Sequence, residues 1–128
     1  MARCSKVTTG TGAVAATLLA GGSASIFYGL SAINNETSTT IYVKLYWEGT
    51  GTAPAVPPGS QTATTLPAVA TTVPQLTLSV PSTGTLFFND TPVNNGGRIW
   101  YWISSTLADG TAQTALVTGG GLITFFYD

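Results

Sequence analysis

Apolar and polar side chains alternate one by one along this chain, and no stretch holds the three-to-four-residue spacing of an amphipathic helix. In "IYVKLYW", Ile41, Val43, Leu45 and Trp47 fall on one side of an extended strand, and Tyr42, Lys44 and Tyr46 on the other. "PQLTLSVP" repeats the pattern. Leu76, Leu78 and Val80 point inward, Gln75, Thr77 and Ser79 outward, and Pro74 and Pro81 punctuate its ends. Residues 25–33, 84–90, 98–106, 114–119 and 122–128 are further strand candidates, dominated by β-branched and aromatic side chains. Turn chemistry separates them: "NNET", "TGTAPAVPPGS", "NDTPVNNGG" and "LADGT". "GAVAATLLAG" is ambiguous, since Ala and Leu favour a helix while its Gly and Thr neighbours favour extended chain; a strand is the preferred reading.

The expected fold is therefore all-β: a β-sandwich or jelly roll of about eight short antiparallel strands with an extended N-terminal arm. Residues 1–25 form the arm or a first strand, and 26–128 the sandwich domain. The start, "MARCSKVTTGTGAVAATLLAGGSAS", has a loose likeness to a signal peptide, but its apolar run is short and interrupted by Thr, so arm or strand is the favoured reading. Residues 49–73, rich in Pro, Thr and Ala, form a long loop suited to meeting a neighbour.

Charge is scarce. Only 7% of the 128 residues are charged, with a formal net charge of -1, against about 25% charged residues in an ordinary soluble domain. That excludes the basic patch a duplex nucleic-acid binder requires. The 44% hydrophobic content supports a core and excludes disorder. A near-neutral surface of Thr, Ser, Ala and Gly favours association. No run reaches the length of about 20 apolar residues that spans a membrane as a helix. With one cysteine, Cys4, no intrachain disulfide can form, and with no histidine the commonest general base and zinc ligand is missing.

The remaining chemistry is thin. Glu36, Glu48, Asp90, Asp109 and Asp128 are scattered, and turn or strand-end roles are favoured over a glycosidase pair. Asn89, Asp90, Asn94 and Asn95 offer oxygens, but without the spacing of a calcium loop. "TGTG" and "GGG" match no phosphate-binding fingerprint, and the triple glycine reads as a hairpin turn or bulge. Asn35-Glu36-Thr37 and Asn89-Asp90-Thr91 fit the glycosylation triplet, which Thr-rich sequences produce often. No catalytic residue, cofactor or metal is expected. The aromatic residues carry more information. "WYW" sets Trp100 and Trp102 on one strand face and Tyr101 on the other, so both faces are large and apolar. One face then packs on the core, and an arm or neighbour covers the other. Tyr42, Lys44, Tyr46, Trp47, Trp100 and Trp102 are the candidate interface residues, with the Lys44 stem along the tyrosine rings and its ammonium in water. The other reading of the tryptophans is a sugar-stacking platform.

"YGLSAINNETSTTIYVKLYW", "VPQLTLSVP" and "GGRIWYWISSTLADGTAQTALVTGG" follow one another in an order that resembles small β-sandwich virion proteins of tailed bacteriophages. The motifs are Tyr28-Gly29, the strand from Tyr42 to Tyr46, Pro74 to Pro81, and Gly97 onward with Ala108-Asp109 and Thr111-Ala112. The resemblance covers roughly residues 26–128, carries one Asp where an Asp-rich tract is usual, and includes a longer insertion around 54–72. It implies a non-enzymatic capsid decoration (cement) protein on the outer surface of the head. Its partners would be the major capsid protein and further copies of itself, as a homotrimer, with no nucleic acid and no membrane. The alternative is a carbohydrate-binding, head-fibre or tail module that uses surface tryptophans.

Overall fold

The computed structural model describes residues 3–8, 17–20, 26–48, 76–89, 93–94, 98–105, 107 and 119–128. Among them lie nine strands: β1 (Arg3–Thr8), β2 (Thr17–Ala20), β3 (Ile26–Asn34), β4 (Ile41–Glu48), β5 (Leu76–Val80), β6 (Thr85–Phe88), β7 (Val93–Asn94), β8 (Arg98–Ser104) and β9 (Gly121–Tyr127). They form two antiparallel sheets, as the period-two pattern requires. Sheet A runs β1-β9-β3-β6, with β7 pairing the start of β3 on the side away from β9; sheet B runs β2-β8-β4-β5. The fold is an all-β sandwich.

Of the two expectations for the first 25 residues, arm or first strand, the described positions take the strand form. β1 pairs β9 from Arg3↔Tyr127 to Thr8↔Leu122, closing one edge of sheet A. β2 pairs β8 at the edge of sheet B, so the ambiguous Ala/Leu segment is a strand where it is described. Residues 49–75, which include the long loop, and 114–118 of the proposed strand 114–119 lie outside the described residues, as do Asp90, Asn95, Asp109 and the "TGTG" stretch.

The core lies between the sheets. Sheet A sends in Phe27, Leu30, Ala32, Ile123, Phe125 and Tyr127; sheet B answers with Ile41, Val43, Leu45, Val80 and Ile99. All are buried, and each Val, Leu, Ile or Phe side chain among them gains about 1.5–3 kcal/mol from leaving water. The Tyr101 ring crosses the gap to Phe125, with centroids 4.9 Å apart.

Strict alternation would not place both Phe27 and Leu30 inward, because they are three residues apart. A β-bulge resolves this: Tyr28 and Gly29 together oppose Phe126, and the side-chain parity of β3 flips between them. Gly29 has φ +152°, and a Cβ there would overlap the carbonyl oxygen of Phe88, so only glycine fits.

One polar residue ties the sheets together at one end. Asn34 is 1% exposed. Its Nδ2 donates to the carbonyls of Thr39 (2.8 Å) and Val80 (3.0 Å), and its Oδ1 accepts from the Glu36 backbone N–H (2.9 Å). Its own N–H donates to Gly84 O at 2.9 Å. Asn34 thus joins the end of β3, the turn that follows it and the β5–β6 turn, with every side-chain polar atom satisfied.

Candidate functional site

A two-layer sandwich has two outer faces, and in this chain they differ. On sheet B, the register places Lys44 opposite Trp102, Tyr46 opposite Trp100 and Tyr42 opposite Ser104. Directly opposed residues of an antiparallel pair share a face, so these side chains form one ladder on the side away from the core. The sequence pattern assigns that side correctly and expects it to be covered; only its placement of the Lys44 ammonium in water fails. Lys44 is 0% exposed, Tyr46 1%, Trp102 2% and Trp100 8%. Lys44 does not reach water: its Nζ donates to Leu107 O at 3.1 Å and lies 5.6 Å from the centre of the Trp102 ring. Desolvating an ammonium costs several kcal/mol, and these charge-assisted and cation–π contacts offset part of that cost.

The two tryptophans pack with Tyr46 as a second apolar cluster, separate from the main core. The indole nitrogens of Trp100 and Trp102 are buried without a hydrogen-bond partner. An unpartnered buried N–H costs about 1–3 kcal/mol, so the apolar contacts of this layer outweigh a real penalty. A sugar needs an open ring face, and neither ring provides one. The stacking platform drawn from Trp100 and Trp102 is therefore overturned by their burial. Trp47 occupies its expected place in β4, opposite Ile99; its side chain lies outside the described residues. Tyr42 is half-buried and lines a shallow groove of about 410 Å³ with Thr40, Thr77, Ser79, Pro81 and Leu107.

The outer face of sheet A is open. Registers align Cys4, Phe126 and Gly29 in one row, Lys6, Thr124, Ser31 and Phe87 in the next, and Thr8, Leu122, Ile33 and Thr85 in a third. Phe87 is 68% exposed, Ile33 44% and Phe126 36%. Gly29 contributes no side chain, leaving a depression of about 270 Å³ rimmed by Tyr28, Phe87, Phe88, Asn89 and Phe126. Lys6 is the one charged side chain in these rows. Chemically, this surface can exclude water against an apolar partner and has no nucleophile paired with a base.

None of the residues read from the sequence as interface candidates lies on this exposed face, although a signal for it was present. "FF" occurs twice, at Phe87-Phe88 and Phe125-Phe126. Adjacent residues of a strand point to opposite faces, so one ring of each pair must leave the core.

No protein-family model matches the chain, and no curated protein matches it. Among solved structures, the crystal structure of the SPBc2 prophage-derived protein YomS aligns over 99% of this chain and 93% of its own, with 13% sequence identity and a TM-score of 0.32. A likeness that slight carries no argument about function.

Proposed function

We propose that the chain is a non-enzymatic structural protein of a virion, a decoration or cement subunit that binds the outside of a tailed-phage head and stabilises the major capsid protein lattice. The open face of sheet A carries this reading. The sandwich hides a lysine and two tryptophans on one outer face yet leaves Phe87, Ile33 and Phe126 in solvent on the other. Contiguous exposed apolar surface marks a contact site, and the low charge of the chain suits lasting burial in such contacts. The sequence resemblance to small virion β-sandwiches supports the same assignment.

Full burial of a Phe or Ile stabilises by about 1.5–3 kcal/mol. These partly exposed residues therefore have about 0.5–2 kcal/mol each left to gain, so a single contact is weak. Repetition over a lattice multiplies it.

The test is addition of the purified protein to heads that lack it. Saturable co-sedimentation and a higher temperature of head rupture are expected, and Phe87→Lys should weaken both while leaving the fold intact. A monodisperse monomer that ignores purified capsids and changes no rupture temperature would overturn the reading.

A further inference from the structure

We infer that β6 is a pairing edge, and that its occupant is β6 of a second copy, joined antiparallel about a two-fold axis with Phe87 facing Phe87 of the partner. The inference stands on sheet geometry and does not rest on the virion assignment.

β1 and β6 are the two edges of sheet A. An open edge presents unpaired N–H and C=O groups, and proteins guard it with lysine, proline or a bulge. β1 is guarded, with Arg3 and Lys6 within six residues. Pairing β1 with itself would also bring like charges together. β6, Thr-Leu-Phe-Phe, has no charge, no proline and no bulge in its register with β3. Among the described residues, its backbone hydrogen bonds go to β3 alone. Phe87, midway along this edge, is the most exposed large apolar side chain among the described residues, at 68%.

Parity fixes the register. Leu86 and Phe88 point toward the core side, Thr85 and Phe87 away from it. A two-fold normal to the sheet keeps both cores on the same side, so opposed residues must have equal parity. Centring on Phe87 satisfies this: Phe87 meets Phe87, Leu86 meets Phe88, and Thr85 meets Asn89. No charged side chain of β6 enters the contact, so self-pairing meets no repulsion. The result is a continuous sheet, β1-β9-β3-β6 of one copy followed by the same strands reversed in the other. An interface built from one short strand pair falls well below the roughly 1,200 Å² of stable complexes, so it is weak in dilute solution.

Cross-strand trapping tests it, in a Cys4→Ser background. Opposed Cα atoms lie about 4.5–5.5 Å apart, within disulfide reach. Phe87→Cys should form disulfide-linked dimers under mild oxidation. Thr85→Cys should not, since the register separates the two Thr85 positions by about four residues, or roughly 13 Å. Thr8→Cys, on the guarded edge, should also stay monomeric. Adding Thr85→Pro, which removes an N–H that faces the open edge while that of Leu86 bonds within the sheet, to Phe87→Cys should abolish the dimer if it is still folded by circular dichroism; Thr85→Lys serves as the second disruptor if it is not. Equal cross-linking at all three positions, or none at Phe87, overturns the proposal.

Discussion

Replacing Asn34 by alanine removes three hydrogen bonds, at 2.8, 3.0 and 2.9 Å, the last two buried, without touching either outer face. Each bond contributes about 0.5–1.5 kcal/mol net, and a buried group left without a partner costs about 1–3 kcal/mol. The half-buried Thr39 carbonyl can recover some solvation; the Val80 carbonyl and the Glu36 N–H, in residues 1% and 7% exposed, recover less. A loss of about 3 kcal/mol is expected, taking one net bond for the Thr39 carbonyl and the lower penalty for each of the other two groups. Unfolding entropy of about 2.1 cal/mol/K per residue gives about 0.27 kcal/mol/K over 128 residues. Asn34→Ala should therefore lower Tm by about 11 °C. Asn34→Asp is the sharper variant: it keeps the acceptor for Glu36 but turns a carboxylate toward two carbonyl oxygens, so it should be worse than alanine at neutral pH. The exposed neighbour Asn35→Ala, whose backbone N–H to Gly120 O survives, should shift stability by less than about 0.5 kcal/mol. Calorimetry or urea titration reads all three. An Asn34→Ala protein within 2 °C of the parent, to an approximation of about 0.5 kcal/mol, or an aspartate variant more stable than the alanine one, would refute the assignment of Asn34 as the tie between the sheets.

Gly29→Ala should cost about 2–4 kcal/mol, because the bulge needs φ +152° and has no room for a Cβ beside Phe88; a denaturant midpoint equal to the parent's would contradict it. Thr83 is a β-branched residue at φ +56° in the β5–β6 turn, so Thr83→Asn should stabilise by about 1 kcal/mol in urea titration. Lys44→Ala should destabilise by about 3 kcal/mol or more through the cavity left by its buried stem. Lys44→Met, which keeps most of that volume, should lose less, and the reverse order would show that the stem is not packed. In a Trp47→Phe protein, the fluorescence of Trp100 and Trp102 should resist acrylamide until the chain unfolds; quenching of the native state as strong as that of a free indole would contradict their burial.

The strands themselves were legible because each is a run of alternating or β-rich residues between turn formers, and β3, β4, β5, β6, β8 and β9 fall within two residues of the expected bounds. Faces were legible wherever alternation was unbroken, as at Ile41, Val43 and Leu45. What failed was anything that depends on another part of the chain. The pattern put Lys44 on the outer side of β4, yet only tertiary packing says whether that side is wet. "NNET" was read as a turn, which it is, but nothing local shows that its first Asn reaches a carbonyl of β5. The bulge was foreshadowed by a glycine inside a strand, although its consequence, a parity flip that turns both Phe27 and Leu30 inward, appears only once β9 is alongside. β7, two residues inside a cluster of turn formers, has no pattern of its own to read.

The pairing of β1 with β9 has a consequence for biogenesis. The segment from Arg3 to Thr8 is made well before its partner, Leu122 to Tyr127. At about 5–20 residues per second, the ribosome keeps the two apart for roughly ten seconds. Sheet A cannot close until β9 has emerged, so completion of this fold waits for it. Over that interval the nascent chain presents bare strand edges to every neighbouring polysome. A cell making many copies therefore gains from a holding factor or a rapid final collapse.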